Sequence, residues 1–151
     1  MWWIDEPHLA GSHNPNLHEL RSLRGIGFSA LVCLLDEDEV RTTLRYSVED
    51  ATRMGYAWHS IPVSDYHAPT LRQMRRFLDL VEHECGSGKL MVHCQAGVGR
   101  TGTMAAAYWI ARRHSAPEAI GKVRRARPWA IESEEQRERL HELERHFAAG
   151  R

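Results

Sequence analysis

Apolar positions along this chain follow two periods in turn. Residues 30–35 (Ala-Leu-Val-Cys-Leu-Leu) form an unbroken apolar run, the pattern of a strand buried on both faces. Residues 56–61 and 89–93 also read as strands. Helical spacing fills the intervals. Leu17, Leu20 and Leu23 mark a helix over 14–24, ended by Gly25. A short helix over 47–54 closes at Gly55. Thr70-x-x-Gln73 caps a helix with the stripe Leu71, Met74, Leu78, Val81 and Cys85. Residues 100–113 form a helix, Ser115-x-x-Glu118 opens another to about residue 126, and the last covers 133–148. Residues 4–10 read as an added edge strand. The alternation predicts one α/β domain over 1–151, with a central, mostly parallel sheet flanked by helices on both faces. Its functional groups are expected at the carboxyl ends of the strands.

Composition narrows the picture. The 151 residues are 42% hydrophobic and 26% charged, enough for one core. Formal net charge is zero, so nothing suggests bulk attraction to nucleic acid or an anionic membrane. No apolar run is long enough for a membrane span, and the first residues lack the features of a signal peptide. The odd count of three cysteines suits a reducing cytoplasm. Lys122, Arg124, Arg125 and Arg127 are locally basic, either near a site mouth or as a solvated helix face. A monomer is expected.

The chemistry concentrates in Val92-His93-Cys94-Gln95-Ala96-Gly97-Val98-Gly99-Arg100-Thr101-Gly102, between the 89–93 strand and the following helix. Gly97, Gly99 and Gly102 let the backbone curl where a side chain would oppose it. Successive N–H groups can then converge on one anion at a helix N-terminus. Arg100 supplies a planar fork for two phosphate oxygens. Cys94 lies in the same positive field, expected to lower its thiol pKa by roughly three units from ~8.5.

The pattern His-Cys-x5-Arg-Thr-Gly resembles the signature loop of the cysteine-dependent protein tyrosine phosphatases, and is most similar to the small atypical dual-specificity branch. The resemblance implies that Cys94 attacks phosphorus to form a cysteinyl-phosphate, and that Arg100 and the amides of Gln95, Ala96, Gly97, Val98 and Gly99 hold the phosphate. It implies that Thr101 stabilises the sulfur leaving group and that His93 fixes the loop and holds down the Cys94 pKa. It implies no metal and no cofactor.

An ester leaving group also needs a proton. Asp65, in Pro62-Val63-Ser64-Asp65-Tyr66-His67-Ala68-Pro69, resembles the family's acid-loop aspartate; a turn or cap is its bland alternative. The acidic run Asp36, Glu37, Asp38 and Glu39 reads as a solvated loop. Arg127-Pro128-Trp129-Ala130-Ile131-Glu132-Ser133-Glu134-Glu135-Gln136 resembles a segment of the small atypical branch with the same Arg-Pro, Ile-Glu and Gln pattern, and the resemblance implies that Gln136 helps place the hydrolytic water. Ser133-x-x-Gln136 is equally a capping box. The relatives have glycine where this chain has Trp129, which either walls the substrate ring or is a surface aromatic. Cys33 is either an inert core thiol or a redox partner able to bridge to Cys94, as in some relatives.

Substrate expectations follow from the rim. Uncharged Gln95, Ala96 and Val98 argue against densely phosphorylated lipid headgroups. A cleft walled by Tyr66, His67, Val98 and Trp129 would accept phosphotyrosine of a phosphoprotein, with phosphoserine and phosphothreonine as further candidates. A rhodanese-type sulfurtransferase and a catalytically dead phosphoprotein-binding module are the alternatives from other classes.

Overall fold

In the computed structural model, which describes residues 1–150, the sheet is built around two apolar strands. These are β3 (Phe28–Cys33) and β5 (Lys89–His93). They lie side by side and parallel, with Cys33 opposite His93. On the far side of β3 runs β4 (Ala57–Ser60), also parallel. On the far side of β5 runs β2 (Leu9–Ser12), parallel again, and beyond it β1 (Trp2–Asp5), antiparallel to β2. The order is β1-β2-β5-β3-β4.

The first segment differs from its sequence-based expectation. Residues 4–10 are not one edge strand. Chain reversal at Glu6-Pro7, a cis peptide, makes a hairpin whose second strand is inserted against β5. Leu9 and Ala10 are fully buried there, and that placement is a tertiary effect which local hydropathy does not encode.

Side-chain alternation along β3 and β5 feeds two cores. Ala30, Val32, Leu90 and Val92 face one layer. It is covered by α4 (Leu71–Glu84), α5 (Gly99–Ala111), α6 (Ala116–Ala126) and α7 (Glu134–Ala149). Leu31 and Met91 face the other layer with Leu20 of α1 (Leu17–Gly25) and Ala51 of α3 (Val48–Arg53). The predicted helix start at residue 14 is early by three: Asn14 is buried against the 94–100 loop, and Asn16 is the N-cap. Gly25 is the last helical residue, and Gly27, at φ +104°, supplies the left-handed conformation instead.

The acidic run is also corrected. Residues 36–39 are not a solvated loop. Asp36 accepts from the Glu39 N–H and Glu39 reaches back to the Asp36 N–H, a capping box that starts α2 (Glu37–Thr42). Such caps recur. Asn16, Asp36, Ser47, Thr70, Ser115 and Ser133 each accept from an amide of the first turn they precede. Helix α5 is the exception: Val98 stands at its N-cap and offers no side-chain acceptor.

Close packing also ties β1 to the loop that precedes α5. Gly11 of β2 leaves room for the Trp2 indole, and a Cβ there would lie 2.7 Å from the ring and 2.9 Å from Thr101 Cγ2. The indole N–H donates to the Gly97 carbonyl at 3.1 Å. Gly11→Ala is expected to displace Trp2 and lower the unfolding free energy by about 1–3 kcal/mol, the usual cost of overpacking, as read from urea denaturation.

Candidate active site

The loop 94–100 joins the end of β5 to α5, the most enclosed helix, whose residues from Gly99 to Tyr108 are all buried. Gly97 takes φ +75°, and a Cβ on it would lie 2.6 Å from the His13 nitrogen. No larger residue fits that turn. The loop's outward carbonyls are taken by neighbours. Asn14 N–H donates to Gln95 O at 3.0 Å, the Trp2 indole to Gly97 O, and Ile131 N–H to Val98 O at 3.1 Å. The loop's N–H groups are thereby left for its concave side, beside the uncapped end of α5.

Two buried polar atoms at this end of α5 lack a partner: Arg100 Nε and Thr101 Oγ1. Their residues are 1% and 0% exposed. An unpartnered buried donor is costly, and here both belong to the helix start that follows Cys94, itself buried. The rest of the Arg100 guanidinium is fully engaged. Nη1 donates to Glu39 Oε1 at 2.6 Å and to the Val63 carbonyl at 2.8 Å, and Nη2 donates to Glu39 Oε2 at 3.0 Å. Burial alone would lower the Arg100 pKa; the hydrogen bonds and charge of Glu39, with Cys94 and Asp65 adding, raise it instead. The hydrogen bond from Arg100 in turn holds the Glu39 carboxyl below its ordinary value, against the opposing effect of burial.

Glu39 was absent from the sequence-based set of site residues. A signal existed: Asp36-x-x-Glu39 has the spacing of the capping boxes recognised elsewhere, which would have made residues 36–42 a helix start. The contact with Arg100 spans 61 positions and has no local signature.

Asp65 stands where the acid loop was expected. Its carboxylate is half exposed, lies 3.4 Å from Arg100 Nη2, and accepts from the Tyr66 N–H at 3.0 Å. The same loop is tied to the start of α7. Gln136 Nε2 donates to His67 O at 3.2 Å, and Glu135 accepts from Ala68 N–H at 3.1 Å and pairs with His67 at 3.0 Å. Gln136 is a helix cap through Oε1, which accepts from Glu132 N–H and Ser133 N–H. Its other amide atom faces the 94–100 loop: a Cβ on Gly99 would be 3.2 Å from Nε2. Arg124 from the basic cluster binds the carbonyls of Ala130 and Ile131, whereas Lys122 lies over the Trp109 ring.

His93 is fully buried, and burial lowers its pKa to about 4. It is therefore neutral and brings no positive charge to Cys94. It acts through a chain of hydrogen bonds. The Trp58 indole donates to Tyr46 Oη at 2.9 Å, which leaves the Tyr46 hydroxyl to donate to His93 Nε2 at 2.7 Å. The remaining ring N–H, on Nδ1, then points to the Cys94 carbonyl at 3.3 Å. Cys33 belongs to the same side. It interacts with Tyr46, and burial pushes its thiol up to about 11. Cys94 packs with the layer of α4 to α7, and both thiols are free and buried.

No group of His, Cys, Asp and Glu among the described residues is arranged to hold a metal ion, and no described helix is long and apolar enough to cross a membrane.

Comparison with known proteins matches residues 1–142 to a family model described as "Swiss Army Knife protein, DSP-PTPase phosphatase domain". Human dual specificity protein phosphatase CDC14C is 38% identical over 87 residues, covering 57% of this chain and 19% of that protein. The tyrosine-protein phosphatase CDC14 homolog of Schizosaccharomyces pombe is 32% identical over 105 residues, covering 69% of this chain and 19% of its own length. The chain thus spans about a fifth of these curated relatives. A crystal structure of Tk-PTP, in a glycine-to-alanine mutant form, superposes with a TM-score of 0.88 at 32% identity, covering 98% of this chain and 97% of that one.

Two outcomes test the site's electrostatics. Glu39→Gln leaves the buried Arg100 charge without its counter-ion and is expected to cost roughly 1–3 kcal/mol of stability; added inorganic phosphate should return part of it, as a ligand of the folded state does. The His93 pKa is about 4 in the fold against an ordinary 6.5. Stability from the neutral ring is thus complete above 6.5 and is lost as pH falls toward 4. That loss should be on the order of 3 kcal/mol, and urea midpoints collected from pH 7.5 to 4 should show it in the wild type and not in His93→Asn.

Proposed function

The chain belongs to the small atypical dual-specificity branch of the cysteine-dependent protein tyrosine phosphatases, and from that premise we propose that it hydrolyses phosphomonoesters of proteins through a cysteinyl-phosphate. The observation that carries the proposal is the end of α5 that no side chain caps, where Arg100 Nε and the Thr101 hydroxyl are buried without a partner on the loop and helix turn that follow Cys94. A helix N-terminus left without a cap, beside a buried cation, is built for an anion.

The mechanism uses each group once per half-reaction. The dianion enters the curl of 94–100, where loop amides and Arg100 Nε, with Nη2, take its non-bridging oxygens. Cys94 Sγ, as the thiolate, attacks phosphorus and the P–O ester bond breaks. Asp65 gives its proton to the departing oxygen, so that an alcohol or phenol leaves rather than its anion. Asp65, now a carboxylate, takes a proton from water as that water attacks phosphorus. The S–P bond breaks, inorganic phosphate forms, and the Thr101 hydroxyl donates to the returning sulfur. Gln136 is a positioning residue: with Oε1 held in the cap, only Nε2 is able to leave His67 O and donate to the water.

Phosphotyrosine is the primary substrate in this reading, with phosphoserine and phosphothreonine next. Gln95, Ala96 and Val98 add no positive charge for further phosphates. The protein acts without a metal or other cofactor, as a monomer in a reducing cytoplasm that keeps Cys94 reduced.

Phosphate release from an aryl phosphate and from phosphopeptides tests the proposal. Cys94→Ser should abolish turnover and keep vanadate or phosphopeptide binding. Asp65→Asn should cut kcat by about 10²–10⁴-fold, most for esters of poor leaving groups. Full turnover by Cys94→Ser would falsify the mechanism.

A further inference from the structure

Arg127-Pro128-Trp129-Ala130 closes a turn, with Ala130 N–H donating to Arg127 O at 3.2 Å. Pro128 occupies the second position and Trp129 the third, at φ +70°. That is the type II arrangement, whose third position favours glycine because a Cβ is strained there. Trp129 accepts the strain and gains nothing within the fold. It is 85% exposed, and among the described residues its indole has no hydrogen-bond or ring partner.

Ile131, two residues on, shows what a compensated case looks like. It too is left-handed, at φ +66°, and β-branched, a rarer strain still. It is 2% exposed, its N–H binds Val98 O, and its carbonyl binds Arg124. The strain at Ile131 is held by packing and hydrogen bonds. The strain at Trp129 has no such return, and an outlier of that kind points to a task outside the folded chain.

Position says what the task is. Trp129 adjoins Ala130, which packs so closely on the first turn of α5 that a Cβ on Gly102 would lie 2.9 Å from its Cβ. The turn therefore stands at the rim of the 94–100 loop. Tyr66, the other exposed large aromatic, also takes a left-handed φ of +64° and adjoins Asp65, whose carboxylate lies 3.4 Å from Arg100 Nη2. We propose that Trp129 is a substrate-recognition residue whose indole packs on the aryl ring of a phosphotyrosyl substrate. The assignment rests on the phosphatase reading of the loop and deepens it: an indole face rewards an aryl ester and offers little to the short alkyl ester of phosphoserine.

Steady-state kinetics of Trp129→Gly and Trp129→Ala, on a phosphotyrosyl peptide and its phosphoseryl counterpart, test it, with orthovanadate inhibition as a probe of the cradle alone. Both variants should raise KM for the phosphotyrosyl peptide roughly three- to tenfold. Values of kcat, kinetics on the phosphoseryl peptide and the vanadate inhibition constant should not move. Trp129→Gly, which relieves the turn, should melt no lower than the wild type, and up to about 4 °C higher. An unchanged KM in both variants, or vanadate inhibition that weakens in step with KM, overturns the assignment; the second would mean that the turn shapes the cradle. A wild type that releases no phosphate from any ester refutes the phosphatase reading itself, whereas a working wild type with indifferent variants refutes only the role of Trp129.

Discussion

A guanidinium at 1% exposure must be compensated, since an unpaired buried charge costs more than most single interactions return. Much of this end of the molecule follows from that. Glu39 has to reach Arg100 with both carboxylate oxygens, so residues 37–42 must be helical and their N-terminus must lie over the site. Val63 must turn its carbonyl inward to Nη1, which fixes the start of the acid loop two residues before Asp65. Nε alone is without a hydrogen-bond partner. Its lack of a partner is the counterpart of the care taken with the other two nitrogens.

The loop itself is held from outside. Each of its outward carbonyls is met by a donor from a different part of the chain: Asn14 after β2, Trp2 in β1, and Ile131 before α7. The hairpin and the 127–131 turn thus act as parts of the site although they carry none of its chemistry. The same is true of Trp58, Tyr46 and His93, whose hydrogen-bond chain crosses the buried layer and ends on the Cys94 carbonyl. A preorganised cradle of this kind needs little rearrangement when charge develops in it.

What the sequence made legible was local. The 89–93 strand, the Cys-x5-Arg spacing, and the caps at Thr70, Ser115 and Ser133 are all written within a few residues, and the structure has them in place. Asp65 was singled out by its resemblance to the family's acid loop, and its carboxylate lies 3.4 Å from Arg100 Nη2. The contacts not legible were those of long separation. Glu39 meets Arg100 across 61 residues, and β2 finds its place only because β5 offers it an edge. His93 was expected to fix the loop and favour the Cys94 thiolate; complete burial makes its ring neutral, and its partners Tyr46 and Trp58 come from other elements. Trp129 was legible as an anomaly, and its meaning required the φ of its turn.

Sharing one guanidinium between two carboxylates also orders events at the site. Nη2 is 3.0 Å from Glu39 Oε2 and 3.4 Å from Asp65 Oδ1, and in the proposed mechanism a phosphate oxygen would need that same nitrogen. Glu39 keeps its hold through Nη1 at 2.6 Å. Asp65 has no such second bond to Arg100 and is half exposed, so it is the carboxylate that gives way. In the proposed reaction, entry of a dianion would compete with Asp65 for Nη2 and free its carboxyl beside the ester oxygen. Arg100, still anchored by Glu39 and Val63, does not follow. One residue is fixed and its neighbour freed by the same competition, so in the proposed mechanism a single buried charge would both bind the phosphate and release its proton donor.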